Sequence, residues 1–133
     1  YASKVSIEVK KKQLKEINMY KVFQALKSDE ALMARSMAGL CFGDDDKLRG
    51  VIAKNLNYYD HVANVDANND EDVFMIMNRW EPEDEDKVER LEERVSSLSV
   101  GDIIVRPDKE MMIVASFGFI NIFESKEYAS KIA

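Results

Sequence analysis

The sequence predicts an α+β fold: a single compact domain in which a small, mainly antiparallel sheet with a C-terminal β-hairpin packs against several helices. GDIIVR and MMIVASF are apolar runs joined by RPDKE, a turn of the Pro-Asp kind, and together they read as a hairpin. DEDVFMIMNRW begins with acids and carries Val73, Ile76, Met77 and Trp80 at helical spacing, with Phe74 beside them. The chain of 133 residues is 46% hydrophobic and 33% charged, which suits one core beneath a solvated surface.

Residues 1–18 form a basic leading segment and residues 19–133 the domain. In the leading segment VSIEV alternates as a short strand would, whereas KKKQLKEIN looks helical, with Leu14 and Ile17 three apart. Tyr1 in place of an initiator Met suits a trimmed front, and Met19 is a candidate start. MYKVFQAL is ambiguous, but Tyr20, Val22 and Phe23 favour a strand. SDEALMARSMAGL reads as a helix capped by Ser28 and stopped by Gly39 and Gly43. GDDDKLRGVIAKNLNYY is a second helix, with Leu48, Val51, Ile52, Leu56 and Tyr59 on one face.

DHVANV is a strand, and Asp66 to Asn69 turn the chain into the 70–80 helix. EPEDEDKVERLEERV predicts a surface helix opened by Pro82, with Val88, Leu91 and Val95 as a thin apolar edge. Glu83–Lys87 and Asp86–Arg90 would be its i,i+4 pairs. MMIVASF lacks polar alternation, which predicts a strand covered on both faces. NIF extends the sheet past a kink at Gly118, and ESKEYASKIA is a closing helix with Tyr128 and Ile132 one turn apart. The expected core is the hairpin against the 70–80 helix.

Charge is unevenly placed. Residues 1–27 carry seven Lys against Glu8 and Glu16, a net of +5, while the remainder carries 12 basic and 23 acidic groups, a net of −11. Lys10, Lys11, Lys12 and Lys15 are the candidate nucleic-acid contacts, which would gain affinity by releasing phosphate counterions. No Arg precedes Arg35, however, and the acidic body repels phosphate, so a basic face balancing that body is favoured. Cys41 is alone, which excludes an internal disulfide and points to a reduced, cytoplasmic setting. No apolar run approaches the roughly 18 residues of a membrane span.

Motifs for chemistry fail one by one. Asp66, Asn68 and Asp70 occupy the first positions of a calcium loop, but Glu71 stands where Gly is needed and Met77 where a bidentate Glu should close the shell. His61 and Cys41 are too few for a structural zinc site, and GLCFG matches no nucleophile signature. GDDDKLRG places three acids where a phosphate loop or a DNA-reading helix needs the opposite charge. The carboxylates of EPEDEDKVERLEER read as a solvated face. No cofactor and no metal are expected.

YYDHVANVDANNDEDVFMIMN, then RVSSLSVGDIIV, then MMIVASFGFINI, is an ordered set that resembles the YodL-like domain, a small family of bacterial mobile elements, phages and Gram-positive genomes. The matching residues are Val73, Phe74 and Asn78, then Ser97 through Ile103, then Ser116, Phe117, Gly118 and Phe119, within about residues 58–123. The resemblance implies a small accessory protein or module with no defined reaction. SVGDII is also similar to the VGDxI strand of small RNA-binding β-barrels, which the acidic body argues against.

Physically, Ser97 or Ser99 can bond nearby backbone, Gly101 permits a close approach, and Asp102 can accept backbone amides. Phe117 and Phe119 are expected on one face across Gly118, leaving a groove. The expectation is a non-enzymatic interaction protein that binds another protein or itself. The sheet face and the 70–80 helix would be the surface, and Phe117, Phe119, Trp80 and Phe74 the candidate contacts. Nucleic-acid binding through the lysines is the alternative.

Overall fold

The structure, a computed structural model, describes residues 18–122. The expected VSIEV strand, KKKQLKEIN helix and ESKEYASKIA helix, and Lys10, Lys11, Lys12 and Lys15, lie outside the described residues. The described chain is α+β: a six-stranded, open antiparallel sheet with helices. Strands β1 (Met19–Gln24), β2 (Asp60–Asp66), β3 (Val88–Arg90), β4 (Ile103–Val105), β5 (Met111–Val114) and β6 (Phe119–Asn121) lie in the order β3-β2-β1-β4-β5-β6. Helices α1 (Asp29–Gly39) and α2 (Asp45–Asn55) join β1 to β2, and α3 (Asp70–Arg79) follows β2.

Each helix starts where a short polar side chain can take over an orphan amide. Ser28 Oγ accepts from the Ala31 amide at 3.0 Å, and Asp44 Oδ1 from the Lys47 amide at 3.0 Å. At α3 the exchange is reciprocal: Asn69 Oδ1 accepts from the Asp72 amide at 2.8 Å, and Asp72 Oδ2 from the Asn68 amide at 3.0 Å. Arg106, just after β4, ties the start of α3 to the sheet by donating Nε to Asp70 Oδ1 at 3.0 Å.

The sheet is buried on both faces, as the unbroken apolar run in β5 implied. On one face Tyr20, Val22, Ile104, Met112 and Val114 pack with Val73, Ile76 and Met77 of α3. On the other, Ile103 and Ile113 pack with Ala38 of α1 and with Leu48 and Ile52 of α2. Alternation along β4 and β5 sends neighbouring side chains to opposite cores. Each large side chain fully buried here contributes about 1.5–3 kcal/mol. The expected core, hairpin against α3, is therefore one half of the interior, and the α1–α2 half is the other.

Some expectations are corrected. EPEDEDKVERLEERV is no α-helix: Pro82–Lys87 is a 3-10 turn, and Val88–Arg90 pairs with β2 as an edge strand. A helix there had only a thin apolar edge to bury, whereas the open edge of β2 offers backbone hydrogen bonds and places Val88 opposite Val65. The i,i+4 pairs expected there do not form: Lys87 pairs with Asp84 at 3.1 Å, and Arg90 lies over the Trp80 ring. Leu56, assigned to the buried face of α2, is exposed, because α2 ends at Asn55 and Leu56–Tyr58 tightens to a 3-10 turn. Phe117 and Phe119 do not share a face. Gly118, at φ 77°, sits in a turn closed by the Ala115 amide on the Gly118 carbonyl, so the chain reverses between β5 and β6.

Gly101, in the turn before β4, packs directly against α1. Its φ of 97° disfavours any side chain, and a Cβ there would collide with the Cβ of Ala38. Gly101→Ala should lower unfolding free energy by about 2–3 kcal/mol in urea titration. The double variant with Ala38→Gly should recover the steric part of that loss. Strict additivity of the two changes would show that α1 does not rest on this loop.

Candidate functional site

Segment 96–102 (SSLSVGD) meets β5 through backbone bonds only at Gly101 and Asp102, and side chains from three elements hold the backbone of Ser96 to Leu98. Gln24 of β1 accepts from the Ser96 amide at 3.0 Å and donates to the Ser96 carbonyl at 2.9 Å. Asn78 of α3 accepts from the Leu98 amide at 2.8 Å and donates to the Leu98 carbonyl at 3.3 Å. Arg35 of α1 donates Nη2 to the Ser97 carbonyl and to Ser99 Oγ, each at 3.2 Å.

These threads converge on Asp102, which is buried. Its carboxylate accepts from Arg35 Nη1, from Gln24 Nε2 at 3.1 Å and from the Ser99 amide at 2.8 Å. Burial pushes the Asp102 carboxyl up to about 6, against the pull of Arg35 and of the Ser99 and Gln24 donors. Beside it, Tyr59 donates its hydroxyl to the Gly101 carbonyl at 2.6 Å, and burial, with Asp102 adding to it, raises that hydroxyl. Among the described residues every buried side-chain N or O has a partner. Together these bonds clamp the segment to α1, β1 and α3.

The clamp fixes which way α1 faces. Ala31, Ala34 and Ala38 are buried, and Arg35, between them in spacing, reaches Asp102. Leu32 is half-buried, whereas Met33 is 64% exposed and Leu40, the C-cap, 82%. Met33, Met37 and Leu40 follow i, i+4, i+7 spacing, a ridge along the outer side. The α1–α2 loop adds Phe42, 67% exposed, whose ring meets Phe117 of the β5–β6 turn at 5.9 Å between centroids. The Gly43 amide donates to Ser116 Oγ at 2.9 Å, holding loop and turn together. Phe117 is the most exposed of the group at 85%. Isolated exposed hydrophobics are ordinary, whereas these five lie on α1 and on the loop and turn next to each other.

The other expected contacts are scattered. Phe119 packs against the α3-side core, and Phe74, 39% exposed, lies on the solvent side of α3. Trp80 leaves the α3 stripe because it is the helix C-cap, in the left-handed region at φ 53°. It donates Nε1 to Ser97 Oγ at 3.0 Å and lies beneath the Arg90 guanidinium, 4.6 Å from the ring centroid. A cleft of about 460 Å³ opens there, lined by Ile76, Trp80, Asp84 and Val88 among others. Met33, Met37, Leu40 and Phe42 were not anticipated from sequence. The signal was the spacing of small residues Ala31, Ala34 and Ala38 around Arg35, which marks the inner face and leaves the methionines outside.

Cys41 and His61 have separate partners: buried Cys41 donates Sγ to the Met37 carbonyl at 3.4 Å, and His61 stacks on Phe23 and bonds Asn64 Oδ1 at 2.7 Å. Among the described residues no group of three or more His, Cys, Asp or Glu converges to hold a metal ion, and no helix is long and apolar enough to cross a membrane. Comparison with protein-family models, curated proteins and solved structures finds no match to this chain.

Asp102 generates a pH dependence of defined sign. Its folded-state value, about 6, lies above its ordinary 3.8, so the folded protein holds more protons between these values. Stability from this group is fully present below about 4 and is lost as pH rises through about 6, roughly 3 kcal/mol in all. The stability of wild type minus that of Asp102→Asn should fall by about that amount from pH 4 to pH 7. The replacement amide faces the same three donors at every pH, so its own cost is a constant offset. A difference that stays flat across the window would show that burial does not govern this carboxyl.

Proposed function

We propose that the chain is a non-enzymatic interaction protein whose docking surface is the outer side of α1 with Phe42 and Phe117. One observation carries this reading: α1 buries Ala31, Ala34 and Ala38 and exposes Met33 and Met37, with Leu40 exposed at its C-cap. Large apolar side chains exposed together on one side of a helix are commonly covered by a partner. The face turned to the core is covered by this chain, and the opposite face by a partner. Methionine, unbranched and polarizable, suits a surface that must adapt to another protein.

The sheet faces expected as the surface carry helices instead, so among the described residues Phe117 is the expected contact that joins this patch. The resemblance to YodL-like domains favours an accessory role in a phage or mobile element. Nucleic-acid binding through the leading lysines stays as the second reading, favoured by the uneven charge alone.

A photo-cross-linking residue at position 40 should give a discrete adduct in cells that express the protein. The same residue at position 109, in the turn at the other end of β5, should not. Adding Phe42→Asp should remove the adduct while leaving the melting temperature within about 2 °C of the parent, since both side chains are exposed. The absence of an adduct at 40, or an identical one at 109, would refute the assignment of this surface.

A further inference from the structure

Resting on the reading that the outer side of α1 is a docking surface, we propose that it takes a basic amphipathic helix of a protein partner. Shape comes first. Met33, Met37 and Leu40 form a helical ridge, and beside Met33 and Met37 runs an open groove of about 400 Å³ lined also by Ala34, Asn55 and Tyr58. A ridge at i, i+4, i+7 spacing next to a groove is what a second helix packs against. An apolar helix stripe laid into such a groove is a recurrent recognition mode.

Charge then selects the kind of helix. Asp29 and Glu30 line the same groove, and Asp45 opens α2 just beyond Phe42. None of the three takes part in an ion pair within the described residues. Lysines or arginines flanking the partner's apolar stripe would meet these carboxylates at the rim, which sets orientation and speeds encounter. A second copy of this chain is a poorer occupant: its own groove is lined by Asp29 and Glu30 and by no Lys or Arg that could meet them. An anionic membrane is repelled by the same rim.

The test uses the full chain and labelled model peptides. One is a Leu/Lys helix with leucines at i, i+3, i+4 and i+7; the other has Glu in place of every Lys. Fluorescence anisotropy should show the Lys peptide binding at least about tenfold more tightly at low salt, with the gap closing as salt rises. Asp29→Asn/Glu30→Gln/Asp45→Asn should weaken the Lys peptide by about fivefold and tighten the Glu peptide by removing like-charge repulsion. Leu40→Asp/Phe42→Asp should abolish both, with folding checked by circular dichroism.

Equal binding of the two peptides would overturn the charge assignment while leaving the docking surface intact. Failure of both peptides, together with a silent cross-linker at position 40, would remove the surface itself. A dimer in sedimentation equilibrium that Leu40→Asp dissolves would assign the face to a second copy. Cross-links from position 40 to residues 1–17 would assign it to the chain's own leading segment. Co-sedimentation with phosphatidylcholine vesicles, lost in Leu40→Asp, would assign it to lipid. Each of these three outcomes overturns the proposal.

Discussion

The buried carboxylate of Asp102 is the constraint on which the rest of the molecule depends. Removing it from water is costly, and Arg35, Gln24 and the Ser99 amide, brought to it together, offset only part of that cost. Those donors come from α1, β1 and the loop itself, so one ion pair sets the relation of three parts of the chain. The Leu98 backbone, clamped by Asn78, adds α3 to the same set. Segment 96–102 is consequently a spine made of side-chain bonds, linking the two cores on either face of the sheet.

From that clamp the orientation of α1 follows. Arg35 can reach Asp102 only if its face of the helix looks inward, and that face otherwise carries alanines. Small side chains allow α1 to come down onto Gly101, and the close approach leaves the bulky apolar residues on the far side. Exposed methionines are thus the counterpart of a tight interior contact. The acids at the start of α1 serve the helix dipole and at the same time colour the rim of the groove.

Much of the fold was legible because its signals are local. Ser28, Asp44 and Asn69 announce helix starts within a few residues of themselves, and the hairpin around Pro107 and Asp108 is read from turn chemistry and apolar runs. What escaped depended on partners far along the chain. Val88 is a strand residue because Val65 lies opposite it, while its own neighbours argue for a helix. Trp80 leaves its stripe because the helix ends in a left-handed residue, and Phe117 parts from Phe119 because Gly118 turns the chain. The contact surface was the least legible feature. In SDEALMARSMAGL both alanines and methionines are apolar, and hydropathy cannot say which face turns inward. The long-range pairing of Arg35 with Asp102 decides it.

The snug seating of α1 on alanines separates two kinds of selective pressure. An inner position can scarcely change, since a side chain at Gly101 would collide with Ala38. An outer position such as Met33 or Leu40 projects into solvent and contributes little to holding the protein folded. Variation can therefore accumulate on the outside while the scaffold stays still, which would let a lineage retarget this protein without first having to restabilise it.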